Sequence, residues 1–122
     1  MLHIFVHLYV IPDQIETFRA YETAALRIFR KHGGELITAV RPILNQPDAP
    51  FEIHHLTIDS EEAFKAFRQD PDHKALADMR QQCMSHTDIY LATQEITYSY
   101  SKSSYSIEHD PRNKNSRHRN LM

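Results

Sequence analysis

The chain has no tryptophan, a single cysteine, only two glycines and no apolar run close to the ~20 residues that span a bilayer. The lone Cys83 excludes an internal disulfide, and no cysteine or histidine spacing matches a structural zinc site. Because the two glycines are the adjacent pair Gly33-Gly34, there is no glycine-rich phosphate-binding loop. The start lacks the basic stretch and apolar segment of a secretory signal, so the expected location is the cytoplasm, away from membranes. Clustered cations are also missing from the body, where residues 1–98 hold nine Lys or Arg against fourteen Asp or Glu, a balance of −5. A body of that sign argues against nucleic acid as a partner, because phosphate neutralisation needs a basic stripe.

At 122 residues and 41% hydrophobic, the chain has apolar material for one core and not for two. Residues 99–122 reverse the charge, with five basic against two acidic residues, a balance of +3. The Ser- and Tyr-rich run 99–106 and the polar run 112–119 cannot bury enough apolar surface to fold alone. The expected organisation is therefore a domain over 1–98 and a polar, basic tail over 99–122 that docks by charge on the acidic body.

Leu2 to Val10 alternates strictly, so Leu2, Ile4, Val6, Leu8 and Val10 share one face of a strand while His3, Phe5, His7 and Tyr9 share the other. Pro12-Asp13 then opens a helix, with Asp13 and Glu16 at capping-box spacing. Ile15, Phe18, Tyr21, Ala25 and Ile28, widened by Leu26 and Phe29, form its buried stripe, and His32-Gly33-Gly34 stops it. Strands are expected over 35–44 and 51–58, joined by the turn-rich loop 45–50. Asp59 or Ser60 caps a second helix, carried by Ala63, Phe64 and Phe67 and interrupted at Asp70-Pro71-Asp72 before resuming through Leu76, Met79 and Cys83. Buried near that helix's end, Cys83 reads as a small core hydrophobe. A last strand is expected over 88–98.

Strand, helix, strand, strand, helix, strand is the ferredoxin-like βαββαβ order, an α+β fold with a four-stranded antiparallel sheet and both helices on one face. The other face then carries Phe5, Tyr9 and either Ile53 or Leu56 into water, which a two-fold homodimer with its sheets face to face would cover.

Tyr21-Glu22, Lys31-His32-Gly33-Gly34, the run from Phe51 to Phe64 and Asp70-Pro71-Asp72-His73 resemble the dimeric α/β-barrel superfamily. More narrowly they are similar to a branch of small domains of unknown function related to antibiotic-biosynthesis monooxygenase-like proteins. The resemblance covers residues 2–98 and rests on helix caps, a glycine stop and core positions. It implies the fold and the dimer. The superfamily includes cofactor-independent monooxygenases, haem-degrading enzymes, isomerases and stress-induced proteins, and this chain matches none of their catalytic sets residue by residue. Without tryptophan it has no Asn-Phe-Trp arrangement of the haem-degrading kind.

Two groups of residues are candidates for a site. His3, His7 and Tyr9 share the open sheet face with His55, and Arg41 stands near the end of the second strand. These imidazoles either line a ligand pocket, as general bases or hydrogen-bonding groups, or hydrogen-bond across a dimer interface. A metal site is not expected there, because no carboxylate-plus-two-histidine spacing is evident. The alternation turns His54 the other way, toward the helices. In barrels of the family it resembles, substrates often lie between sheet and helices, which makes Tyr21, His54 and His73 the alternative cleft.

The expected function is small-molecule binding by a dimer that uses no tightly held cofactor. The alternative is a cofactor-independent monooxygenase or isomerase-like enzyme acting on a small organic substrate.

Overall fold

The computed structural model describes residues 1–100 of the 122. Four strands form one antiparallel sheet: β1 (Leu2–Val10), β2 (Glu35–Val40), β3 (Glu52–Ile58) and β4 (Met84–Ala92), in the spatial order β2-β3-β1-β4. Helix α1 (Ile15–Lys31) follows β1, and the β3-to-β4 connection holds α2 (Glu61–Gln69), α3 (Pro71–Lys74) and α4 (Ala77–Cys83). This is the ferredoxin-like βαββαβ order, with the second helix cut into three pieces. Asp70 explains the cut: its carboxylate accepts from the backbone N–H of Asp72 at 2.8 Å while Pro71 supplies the first turn of α3.

Helices α1, α2 and α4 each bury apolar side chains, whereas the four-residue α3 buries none. On α1, Phe18, Tyr21, Ala25 and Phe29 are buried, meeting Leu2, Ile4 and Leu8 of β1 and Leu56 and Ile58 of β3. Gly33 closes α1 at φ +86°, a conformation that favours glycine. Gly34 packs under Phe29, whose ring a Cβ at that position would overlap. The carboxylate of Asp70 then ties this end of α1 to α3, accepting from Lys31 Nζ and from His32 Nε2, each at 2.8 Å.

Several element ends differ from the sequence reading. Residues 12–14 form a single 3-10 turn and α1 begins at Ile15 with no side-chain cap, so the Asp13 and Glu16 spacing builds no capping box. Ser60 is the cap of α2, its Oγ accepting from the Ala63 N–H at 3.0 Å. Strand β2 ends at Val40 rather than at residue 44, where Pro42, lacking an N–H, follows Arg41. Strand β4 runs over Met84–Ala92 rather than 88–98, because α4 hands the chain straight to the sheet at Met84. Cys83 is fully buried, its Sγ donating to the Arg80 carbonyl at 3.6 Å. Among the described residues no helix is long and apolar enough to cross a membrane. The expected docking of the tail falls, beyond Tyr100, outside the described residues.

Candidate functional site

Strand pairing sets which side chains meet. Opposite partners in an antiparallel ladder point to the same face, and Val6 pairs with His54, Leu8 with Glu52 and Ile4 with Leu56. His54 and Glu52 therefore face the helices. Between that face and α1 and α2 lies a cavity of about 410 Å³, within the size range of small-molecule sites. Its floor includes Ile4, Val6 and Leu56, and Leu26, Phe29 and Phe64 contribute apolar walls.

A polar cluster occupies part of this apolar space. Tyr21 and Glu22 come from α1, His54 from β3, Arg80 from α4 and Thr87 from β4. Glu52 stands behind His54: one carboxylate oxygen accepts from Arg41 Nε at 2.9 Å and the other lies 2.5 Å from His54 Nε2. A carboxylate paired to a guanidinium only accepts, so His54 Nε2 carries the hydrogen and Nδ1 turns toward Glu22, at 3.8 Å from its Oε2. At that distance the pair is an electrostatic contact rather than a hydrogen bond.

Burial dominates the electrostatics. The Glu22 side chain is only 16% exposed, and desolvation pushes its carboxyl up to about 7, with Glu52 adding to the rise and His54 and Arg80 opposing it. Burial also raises the Tyr21 phenol, which the charge of Arg80 offsets in part. Arg80 itself is held by Thr87 Oγ1, which accepts from its guanidinium at 2.9 Å. His73 packs on Phe67 with ring centroids 4.3 Å apart, and its burial, reinforced by the charges of Arg68 and Arg80, pushes it below the ordinary imidazole range. Thus Tyr21, His54 and His73, the alternative group of the sequence reading, all line this one cavity.

The other group does not assemble as a unit. His3, His7, Tyr9 and His55 share the open sheet face, as the alternation requires. There they form a stripe of ring contacts: His55 stacks on Phe5 at 4.4 Å, Tyr9 on His86 at 4.1 Å, and His7 meets the edge of Tyr90 at 5.7 Å. His3 donates from Nε2 to Glu95 at 3.0 Å, and its Nδ1 lies 3.1 Å from His55 Nε2. Arg41 departs from this group, because its pairing with Glu52 takes its side chain to the helix-facing side.

The sequence reading passed over Glu22, Glu52 and Arg80, although two of them carried a signal. Glu22 sits inside the apolar stripe of α1, next to Tyr21 and one turn before Leu26, where a carboxylate is out of place. Glu52 alternates with His54, Leu56 and Ile58 and so belongs to the helix-facing side. Nothing in the sequence pattern distinguishes Arg80. Among the described residues no group of three or more His, Cys, Asp or Glu side chains is arranged to hold a metal ion.

Solved structures share this architecture. A protein of unknown function from Rhodopseudomonas palustris superimposes with a TM-score of 0.67 at 17% identity, over 79% of this chain and 83% of that one. A dimeric protein of unknown function with a ferredoxin-like fold from Bacteroides fragilis matches with a TM-score of 0.58 at 9% identity, over 76% and 95% of the two chains. The fold is ferredoxin-like. A candidate antibiotic biosynthesis monooxygenase from Nitrosomonas europaea matches with a TM-score of 0.60 at 13% identity, over 79% of this ferredoxin-like chain and the whole of the other. At these identities the likeness is one of fold. No protein-family model and no curated protein matches the sequence.

Proposed function

We propose that this protein is a homodimer that binds a small organic molecule between the sheet and α1, and that Glu22 and His54 move protons on that molecule. One observation carries the reading: a carboxyl held at about 7 inside a cavity of about 410 Å³, opposite an imidazole whose tautomer Glu52 sets. A group that titrates near neutral pH is populated as both acid and base, which is what general acid–base catalysis requires. The ionised Glu22 takes a proton from a carbon next to a carbonyl, and the bond's electron pair moves onto the carbonyl oxygen as an enolate. Returning the proton at a different carbon completes an isomerisation. If dioxygen reacts with the carbanion instead, the outcome is oxygenation.

The dimer is inferred from the open sheet face. Phe5, Val40 and Tyr90 lie there 38%, 49% and 58% exposed, an apolar surface that the same face of a second copy would bury. This assigns His3, His7, Tyr9 and His55 to the interface and leaves the cleft open at the opposite side of the sheet.

The test is deuterium exchange from solvent into simple 1,3-diketones, followed by proton NMR with the full chain. The wild-type protein is expected to accelerate exchange, and Glu22→Gln to lose about a hundredfold or more of that acceleration. Undiminished exchange in Glu22→Gln overturns the reading.

A further inference from the structure

The charges around the cleft run against those of the body. Although residues 1–98 sum to −5, the cavity is lined by Arg68, Lys74 and Arg80 and by a single carboxylic acid, Glu22. That acid is the one held at about 7, so at neutral pH it is only partly ionised. Among the described residues no carboxylate lies within 4.0 Å of Arg68, Lys74 or Arg80, whereas Lys31 has two and Arg41 has one.

Arg80 differs from an ordinary surface arginine. It is half-buried, and a neutral group orients it, Thr87 Oγ1 from β4, which accepts from its guanidinium at 2.9 Å. Thr87 leaves that charge unneutralised, and among the described residues its Oγ1 is the only side-chain acceptor the guanidinium meets, which leaves further N–H groups for a ligand. Burial keeps the Tyr21 phenol protonated, and the phenol lines the same cavity as Arg80, so its hydrogen can be donated to a ligand there. The guanidinium, fixed by Thr87, and the phenol offer donors to one cavity, which Glu22 and the apolar side chains of Leu26, Phe29 and Phe64 also line. A positive charge partly withdrawn from water, with no described carboxylate within 4.0 Å, is stabilised by an anion supplied from outside.

We infer that the cleft takes a largely apolar organic acid: its carboxylate is held by Arg80 and Tyr21, and its apolar body lies against Leu26, Phe29 and Phe64. Arg68 and Lys74 stand beside His73 and draw the anion in, since a cavity lined by one sign of charge raises the local concentration of the opposite one. This inference rests on the cleft being the ligand site. It adds the substrate class and places the reactive carbon close to the carboxylate, within reach of Glu22.

The experiment compares 4-phenylbutyrate with its neutral amide, both titrated into the full-length protein at fixed ionic strength. Amide resonances of Leu26, Phe29 and Leu56, and the methyl resonances of the two leucines, report on the cleft. The acid is expected to shift these signals and to bind about tenfold or more tightly than the amide, the effect of one charge-assisted contact. Arg80→Gln should bring the acid down to the affinity of the amide while leaving the amide unchanged, and Arg80→Lys should restore part of the difference. If the amide shifts the same signals and binds as tightly as the acid, or if Arg80→Gln weakens both equally, this inference is overturned while the cleft stands as a binding site. If neither compound moves those signals, or the acid shifts only others, the inference falls together with the site itself.

Discussion

Replacing Glu22 with glutamine tests the central feature of the cleft without requiring knowledge of any ligand. The folded protein holds this carboxyl at about 7 against an ordinary value of 4.5, a difference of 7 − 4.5 = 2.5 pH units. Between those two values the unfolded chain releases the proton and the folded chain keeps it, so stability declines as pH rises through the window and remains lower above it. At about 1.4 kcal/mol per pH unit the full penalty at pH 8 is roughly 3 kcal/mol. Glutamine has nearly the same shape as glutamate and cannot ionise, so the Glu22→Gln variant escapes the decline. Relative to wild type it should gain roughly 1–3 kcal/mol at pH 8 and nearly nothing at pH 4.5. For a domain of this size that corresponds to a Tm about 5–15 °C above wild type at pH 8. Differential scanning calorimetry of both proteins at matched concentration across pH 4.5–8 reads the effect, and groups that titrate alike in both cancel in the difference. An offset that stays constant with pH, or a variant less stable than wild type at pH 8, would refute the account of Glu22 as a carboxyl whose ionisation burial penalises.

Three further outcomes follow from the packing. Phe5→Glu places a carboxylate in the open-face stripe beside His55, so light scattering should give the mass of one chain for the variant and of two for wild type; equal masses would refute the proposed interface. Ser60→Ala removes the hydrogen bond to the Ala63 N–H at the start of α2 and should destabilise the fold by about 1 kcal/mol in urea unfolding, whereas Ser60→Asp should be nearly neutral. Asp70→Asn loses a carboxylate that Lys31 and His32 hold well below the usual range, so its Tm should fall most at neutral pH and converge on wild type in acid, as the depressed carboxyl of the parent finally protonates; a pH-independent loss would mean that shape rather than charge matters there.

Much of the fold was legible because its signals are local. Alternation from Leu2 to Val10 and from Glu52 to Ile58 assigns each side chain to a face, which is how the order of residues alone turns His54 toward the helices and His55 away from them. The Gly33-Gly34 stop, the Ser60 cap and the break at Pro71 likewise depend on backbone preferences a few residues long. Strand ends were less legible: β2 and β4 stop where ladder partners and the neighbouring α4 stop them, and those partners are distant in sequence.

The chemistry of the cleft belongs to the tertiary structure. Glu22, His54, Arg80 and Thr87 come from four separate elements, and no spacing along the chain predicts that they line one cavity. Arg41 shows the same thing from the other direction, since its side of the sheet is settled by the carboxylate of Glu52 rather than by its place after β2. What the sequence determined by itself was the set of faces and boundaries, because backbone geometry repeats every few residues. Which buried carboxyl would be held near neutrality, and which cation would lie beyond 4.0 Å of every described carboxylate, was decided by assembly, because desolvation and pairing depend on everything packed around a group in space.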